Sequence, residues 1–222
     1  MPVPDLTVII PVAPDDPTWT TLVCQLPADW AVVISATTSR PAQAPAWIRW
    51  QQGGPGRGRQ LNAGASVCES NWLWFVHADS GLDADALEAV AQWSMTRERG
   101  LGYLDLAFLN DGPWLTRLNA FGANLRSRLF GLPYGDQGLC VSARDFHQLG
   151  GFREDLARGE DLDFIVRARS SGLPATRIAG MIRTSARRYR DRGWLQTTWQ
   201  HQLNARHLIR QARSVKQDHP RP

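Results

Sequence analysis

An alternation of strand-like and helix-like segments in the first half of the chain limits its fold more than any other feature. Four short runs, rich in apolar, β-branched and aromatic residues, predict buried strands over residues 6–11, 31–34, 47–50 and 72–76. Helical patterns separate them over 17–26 and 59–69, and Asp83 is placed to N-cap a further helix. Continuous apolar strands joined by helices predict an α/β fold, with a mostly parallel central sheet covered by helices on both faces.

The second half of the chain has a less regular pattern. Its predicted strands and helices cover residues 102–109, 114–130, 138–142, 160–171 and 193–215. No linker is long enough to separate two domains, and 222 residues suffice for one large hydrophobic core. We therefore expect a single domain over residues 1–192, followed by an amphipathic C-terminal helix and tail over residues 193–222.

Basic residues are concentrated in one short segment. The chain has 25 basic and 21 acidic residues, and residues 177–192 alone carry six arginines and one aspartate, so the remainder sums to −1. A compact positive segment suits a small polyanionic ligand or an anionic membrane surface. Nucleic-acid-binding proteins more often spread basic and aromatic residues along one face. We therefore expect no nucleic-acid partner.

Several classes of protein are excluded by what the sequence lacks. It contains no run of about 18 apolar residues, which excludes a membrane-spanning helix, and its first residues do not form a secretory signal. Its three cysteines, Cys24, Cys68 and Cys140, lack the spacing of a metal site, so we expect reduced thiols. These features predict a cytoplasmic protein, either free or peripheral at the inner face of the membrane.

Acidic and histidine side chains follow the first and fourth predicted strands, where ligands of parallel sheets bind. After the first strand, Asp16 is placed to cap the next helix, which leaves Asp15 to accept hydrogen bonds from a base or a ribose. After the fourth, His77 and Asp79 project to the same side of the chain. They could share a divalent cation with a phosphate. Alternatively, Asp79 caps a turn and His77 packs.

Two further segments carry candidate chemistry. Glycines over residues 53–58 would let backbone N–H groups approach an anion, and Arg57 and Arg59 supply forked donors for phosphate oxygens. A solvated turn is the alternative. Glu160 and Asp161 open a predicted helix, where carboxylates complement the helix dipole. A carboxylate there could also serve as the general base for an acceptor hydroxyl.

Seven motifs occur in order along the chain and together resemble one family. They are IIPV followed by an acidic residue, GRGRQLNAG, FVHADS, GDQG, GGF, GEDLDF and TSARRY. This set resembles the family 2 glycosyltransferases of the GT-A fold, in particular a short bacterial branch often labelled arsenosugar-biosynthesis glycosyltransferases. The resemblance runs from about Leu6 to Gly193. It implies an enzyme that moves a sugar, with inversion, from a nucleotide-diphosphate sugar to an acceptor hydroxyl, assisted by Mn²⁺ or Mg²⁺.

The resemblance also implies roles for particular residues. Asp161 matches the general base, with Glu160 in support, and Asp136 and Gln137 match the acceptor side. Asp79 matches the metal-binding carboxylate of the DxD motif. The resemblance further implies that Arg187 and Arg188 lie near the diphosphate leaving group. Together with the Gly-rich segment, the predicted nucleotide-sugar side comprises Pro11, Asp15, Arg57, Arg59, Asn62, Asp79, Arg187 and Arg188.

Three positions depart from the family pattern, one of which is the Ala13-Pro14 turn in place of a more usual Leu-Asn. The first DxD position is His77, which would be the second protein ligand of the metal. The second strand ends at Ser35, where most family members carry an aspartate that reads uracil. The sequence therefore leaves the nucleotide, the sugar and the acceptor open. Two other functions also stay open: a nucleotidyltransferase-like enzyme, and a non-catalytic protein that binds RNA or a lipid surface through its arginines.

The C-terminal segment has two interpretations. Apolar residues such as Trp194, Leu195 and Trp199 lie near several arginines, as in helices that bind membrane surfaces. The same pattern suits a helix packed on the catalytic domain or on the partner of a homodimer. The first interpretation predicts peripheral contact with a membrane.

Overall fold

The computed structural model describes residues 3–199, with the exception of the Arg192 side chain, and shows an α/β fold. The strands are β1 (Leu6–Val12), β2 (Ala31–Ala36), β3 (Arg49–Gln52), β4 (Trp72–Phe75), β5 (Ser80–Gly81), β6 (Leu101–Phe108), β7 (Leu139–Ser142) and β8 (Ala175–Thr184). The helices are α1 (Thr18–Val23), α2 (Arg57–Ser66), α3 (Ala84–Met95), α4 (Thr116–Phe130), α5 (Ala143–Gln148), α6 (Glu160–Ser170) and α7 (Arg187–Arg192). A 3₁₀ turn, Gly135–Gln137, precedes β7.

The strands form one sheet in the order β3-β2-β1-β4-β7-β6-β8-β5. Strands β1 to β4 are parallel, and β6 and β8 are parallel to each other. Strand β7 runs antiparallel to both of its neighbours, and β5 runs antiparallel to β8. The prediction of a mostly parallel central sheet is confirmed. The carboxyl ends of β1, β2 and β4 lie at one edge, where such sheets bind ligands.

Hydrophobic cores lie on both faces of the sheet. Because alternate residues of a strand point to opposite faces, Val8 and Ile10 join a core with α1 and α3, whereas Ile9 joins a second core with α2 and α6. In the same way, Trp74 belongs to the first core and Phe75 to the second. Burying each of these large apolar side chains contributes about 1.5–3 kcal/mol to folding, so the unbroken apolar strands favour a sheet covered on both sides.

Most predicted elements of the first half lie close to their expected positions. The first four strands begin and end within two residues of the predicted bounds. Asp83 N-caps α3, because its carboxylate accepts a hydrogen bond from the Ala86 N–H at 3.0 Å. Helix α2 begins two residues earlier than predicted, at Arg57. This shift places the Arg57 side chain on the first turn of a helix rather than in a loop.

The most basic segment forms a strand that the sequence pattern did not predict. In β8, Arg177 donates hydrogen bonds to the Asp105 carboxylate at 2.7 and 2.9 Å, and Arg183 donates to Asp83 at 2.7 Å. Buried isoleucines alternate with these arginines along the strand. The positive charge of residues 177–192 is therefore not one patch, because carboxylates neutralise its first part.

The predicted C-terminal helix lies only partly within the described residues. Residues 194–199 are helical, and the rest of the predicted helix over 193–215 lies outside the described range. Within residues 3–199, none of the helices combines the length and the apolarity that crossing a membrane requires.

Candidate active site

A cavity of about 720 Å³ opens at the edge of the sheet where β1 and β4 end. Residues from both halves of the chain line it. Those that the sequence assigns to a site are Pro11, Arg57, His77, Asp79, Asp136, Asp161, Arg187 and Arg188. The fold thus brings the separate motifs into one space.

The turn after β4 carries His77 and Asp79 into the cavity, and a 3.0 Å backbone hydrogen bond closes it. Burial, and then the positive charges of Arg57 and Arg188, lower the pKa of His77 to about 3, although Asp161 opposes them. The imidazole is therefore neutral at physiological pH. Burial raises the pKa of Asp79, and the neighbouring arginines partly offset this effect.

Arg57 connects the Gly-rich segment to the acidic pair. Gly56 has a φ of +115°, and the turn at this glycine starts α2 at Arg57. The Arg57 guanidinium donates a hydrogen bond to the buried carboxylate of Glu160. Burial lowers the pKa of Arg57, but the negative charges of Asp161 and Glu160 outweigh that effect and raise it. Arg57 therefore faces the carboxylates at the start of α6.

Asp161 lies where three segments meet. Its Oδ2 accepts a hydrogen bond from the Gly135 N–H at 2.5 Å, and its Oδ1 accepts one from the Leu162 N–H at 2.9 Å. A Cβ atom on Gly135 would lie 2.9 Å from Asp161 Oδ2 and 3.0 Å from His77 Nε2. Burial raises the pKa of Asp161, but Arg57 and the backbone donors outweigh it and hold the pKa below its usual value. The carboxylate is therefore ionised at neutral pH.

Asp136 contributes a second carboxyl group to the cavity. One of its oxygens is buried and has no hydrogen-bond partner among the described residues. Burial, and then the negative charge of Asp161, raise its pKa to about 6, whereas Arg126 and Arg57 act against this shift. The two neighbouring carboxyl groups thus have pKa values displaced in opposite directions.

The cationic wall of the cavity is formed by Arg187 and Arg188 at the start of α7. The preceding turn is fixed by Asp111, which accepts hydrogen bonds from Ser185 Oγ at 2.5 Å and from the Ala186 N–H at 2.7 Å. The arginines of β8 are ion-paired with Asp105 and Asp83. Within the described residues, neither of these carboxylates pairs with Arg187 or Arg188. Their charge is therefore directed at the cavity.

Two predicted residues of the site hold loops together instead of lining the cavity. The Gln137 amide is fully buried; its Nε2 donates to the Leu104 carbonyl oxygen at 3.1 Å, and its Oε1 accepts from the Tyr134 N–H at 3.2 Å. The Asn62 amide forms two hydrogen bonds with the backbone of Phe152, at 2.8 and 2.9 Å. The roles that the sequence resemblance implies for Gln137 and Asn62 stay predictions.

Three others also lie outside the cavity lining. Asp15 is exposed and has a φ of 58°, and Arg59 is exposed and pairs with Glu154 at 3.5 Å. Glu160 lies behind Arg57, as described above. Asp16 lines the cavity in place of Asp15, and its Oδ1 accepts hydrogen bonds from Thr18 at 2.6 and 3.0 Å.

Several residues of the cavity wall were not predicted from the sequence. They include Asp16, Gln60, Phe108, Tyr134, Arg158 and Tyr189. Gln60 Nε2 donates to the carbonyl oxygens of Val12 at 2.7 Å and Ser35 at 3.1 Å, so its amide bridges the ends of β1 and β2. Arg158 could have been predicted, since it directly precedes the GED motif. Nothing in the local sequence marks the aromatic residues Phe108, Tyr134 and Tyr189, because long-range packing brings them to the cavity.

Solved structures with similar folds include TarS from S. aureus and a mannosyltransferase. TarS 1–349 from S. aureus matches with a TM-score of 0.62 at 14% identity, over 81% of this chain and 60% of that chain. TarS 1–349 in complex with UDP-GlcNAc gives a TM-score of 0.62 at 15% identity, over 81% and 58%. The mannosyltransferase PcManGT from Pyrobaculum calidifontis, in complex with GDP-Man and Mn²⁺, gives 0.60 at 16% identity, over 82% and 57%.

These similarities establish the fold, which is the GT-A fold. The chain spans about 60% of the length of the TarS 1–349 and PcManGT structures. No protein-family model and no curated protein matches the chain.

Proposed function

We propose that this protein is an inverting glycosyltransferase that moves a sugar from a nucleotide-diphosphate sugar to an acceptor hydroxyl. The observation that carries the proposal is that groups of opposite charge line one cavity. They are an ionised carboxylate, Asp161, and the arginines of the cationic wall, Arg187 and Arg188. Sugar transfer needs both, because the acceptor loses a proton while the leaving diphosphate gains negative charge.

The acceptor side of the reaction is assigned to Asp161. The acceptor oxygen forms a bond to the anomeric carbon as the bond from that carbon to the diphosphate breaks. The hydroxyl proton passes to the Asp161 carboxylate, and the nucleoside diphosphate leaves. A single displacement of this kind inverts the anomeric centre. The backbone donors of Gly135 and Leu162 fix the orientation of the carboxylate, and each oxygen keeps a lone pair for the substrate.

The residues of the DxD position suit a divalent cation. Asp79 offers a carboxylate, and the neutral His77 imidazole offers a nitrogen lone pair. Within residues 3–199 no cluster of three or more ligating side chains occurs. This set fits Mn²⁺ or Mg²⁺, which take further ligands from substrate phosphates and water. When bound, the cation would neutralise charge on the diphosphate.

Finer assignments belong to the same proposal. Membership of family 2, and of its arsenosugar-biosynthesis branch, is supported by the seven motifs in order. A cytoplasmic location is supported by the spacing of the three cysteines, which predicts reduced thiols. UDP-GlcNAc and GDP-Man, which are bound in the structures of similar fold, are the first donors to test.

The test is release of nucleoside diphosphate from a panel of nucleotide sugars with Mn²⁺ or Mg²⁺. We expect turnover with at least one donor, and loss of turnover in Asp161→Asn without loss of nucleotide binding. Asp155→Asn is the matched control, since Asp155 is exposed and lies outside the cavity. No response to any donor, or an Asp161→Asn variant as active as the wild type, would refute the proposal. Pyrophosphate release from a nucleoside triphosphate and a sugar phosphate would indicate nucleotidyl transfer instead.

A further inference from the structure

Helix α4 presents an apolar stripe to solvent. Large apolar side chains recur at helical spacing along its outer side, starting with the residue two positions before it: Trp114, Leu118, Phe121, Leu125 and Leu129. Their exposure runs from 43% at Leu125 to 72% at Trp114. Scattered apolar residues are normal on a protein surface, whereas a continuous stripe of this length marks an interaction site.

The side of α4 that packs on the sheet is made of small or polar residues. The buried residues of the helix are Thr116, Ala120 and Ser127. Asn124 also faces the sheet, since its amide accepts from the Leu106 N–H at 2.7 Å and donates to the Leu106 carbonyl oxygen at 2.9 Å. Turning the apolar stripe inward would break both bonds. The usual arrangement of a surface helix is therefore reversed in α4.

The helical residues 194–199 add apolar surface beside α4. Trp194 Nε1 donates to Asn119 Oδ1 at 2.6 Å, and Asn119 Nδ2 donates to Thr198 Oγ1 at 3.0 Å. Leu195 and Trp199, one helical turn apart, are 76% and 69% exposed. We use the name α4 face for Trp114, Leu118, Phe121, Leu125, Leu129, Phe130, Leu195 and Trp199.

The charge around the α4 face is positive. Residues 112–134 contain three basic residues and no acidic one. Arg117 is exposed, and Arg128 shares the Asp105 carboxylate with Arg177, so these two arginines and the one aspartate keep a net positive charge. Exposed apolar side chains combined with basic residues are the features that hold helices at anionic lipid surfaces. We infer that the α4 face docks on the surface of an anionic lipid bilayer.

The charge distribution disfavours two other partners for the α4 face, namely a second copy of the chain and the chain's own residues 200–222. In a symmetric dimer, the net positive charge beside the apolar stripe of one copy would face the same charge of the other, and like-charge contacts are costly. Residues 200–222 carry five basic residues against one aspartate, and only four large aliphatic ones, so they match the α4 face poorly. Anionic headgroups supply the missing negative charge.

The α4 face borders the active-site cavity. The Asn119 amide, which holds residues 194–199 against α4, also lies 3.4 Å from the hydroxyl of Tyr189, a residue of the cavity wall. Docking would therefore hold the cavity close to the bilayer. The inference itself does not depend on the proposed activity.

The test is sedimentation of the full chain with vesicles of phosphatidylcholine and phosphatidylglycerol, compared with vesicles of phosphatidylcholine alone. We expect binding to the anionic vesicles that weakens with salt. The triple substitution Leu118→Gln, Phe121→Gln and Leu125→Gln should weaken partitioning at least tenfold. Arg117→Gln should weaken it about fivefold, as expected for one basic residue at an anionic surface.

The control is the substitution Met95→Gln, which removes an exposed apolar side chain at the end of α3, outside the α4 face. It should partition like the wild type. Absence of wild-type binding to anionic vesicles would overturn the inference, as would a triple variant that binds normally. Sedimentation velocity without lipid tests whether the α4 face is a dimer interface. A wild-type dimer that the triple substitution converts to a monomer would assign the face to a second copy of the chain and overturn the inference.

Discussion

Arg57 and Glu160 form an ion pair that joins the first residue of α2 to the first residue of α6, across 103 residues of sequence. The Glu160 carboxylate is buried, and Asp161 follows it in the chain. Arg57 thus compensates a buried charge and positions the proposed base. The sequence predicted that Arg57 binds phosphate oxygens of the nucleotide sugar; the ion pair indicates a positioning role toward the acidic pair.

Removing the Arg57 guanidinium should destabilise the protein and slow sugar transfer. Arg57→Gln leaves Glu160 buried without its charged partner, which should lower the free energy of unfolding by about 2 kcal/mol in urea denaturation. Arg59→Gln is the control on the same helix, and its exposed pair with Glu154 should contribute less than about 0.5 kcal/mol. Equal effects of both substitutions would contradict a structural role specific to Arg57.

A side chain at position 135 should disturb the site without unfolding the protein. In Gly135→Ala, the new Cβ would crowd Asp161 Oδ2 and His77 Nε2, and misplacing a reacting group by about 1 Å can cost 100-fold in rate. We expect turnover to fall by about 10- to 100-fold. Gly122→Ala is the control, because nothing lies within 4 Å of a Cβ there. Unchanged turnover in Gly135→Ala would show that the close approach is not needed.

The Asp136 carboxyl should make stability depend on pH. Its pKa is raised from 3.8 to about 6, so its stabilising contribution is present below pH 3.8 and is lost as the pH rises through about 6. Asp136→Asn should therefore gain about 2 kcal/mol in unfolding free energy, relative to the wild type, between pH 4 and pH 7.5. Asp155→Asn is the control: the Arg153 hydrogen bond lowers the pKa of Asp155 below 3.8, so its pH-dependent contribution falls below that pH and the variant should follow the wild type between pH 4 and pH 7.5. Denaturant titrations at both pH values distinguish the two.

Metal removal should expose the role of Asp79. Chelation should abolish turnover, and Mn²⁺ should restore it in the wild type. Asp79→Asn should raise the Mn²⁺ concentration for half-maximal turnover at least tenfold, because an amide is a weaker ligand than a carboxylate. Asp85→Asn, on the exposed side of α3, should leave that concentration unchanged. Full activity after chelation would contradict a metal-assisted reaction.

Local patterns were sufficient to predict the strands of the parallel half and the cap at Asp83, because burial on both faces imposes continuous apolar runs. They were insufficient for β8. Its exposed arginines interrupt the apolar pattern, and the carboxylates of Asp83 and Asp105 that stabilise them are distant in sequence. Pairing with β6 and β5 determines this strand, and such pairing leaves no local signal.

In the candidate site, too, some residues could be predicted from the sequence and others depend on the fold. Motif order was enough to select eight residues that share a cavity. It did not distinguish Asp15 from Asp16, since both are acidic residues in one turn and only the backbone conformation decides which faces the cavity. The sequence predicted the position of α4 to within two residues, but its outward apolar side depends on the Asn124 contacts with β6.

The most direct test of the central claim is a crystal structure of the protein soaked with UDP or GDP and Mn²⁺. We expect the diphosphate to lie between Asp79 and the arginines of the cationic wall, Arg187 and Arg188, with Asp161 facing the remaining space. A diphosphate bound instead at the glycines of residues 53–56, or no nucleotide in the cavity at saturating concentration, would contradict it.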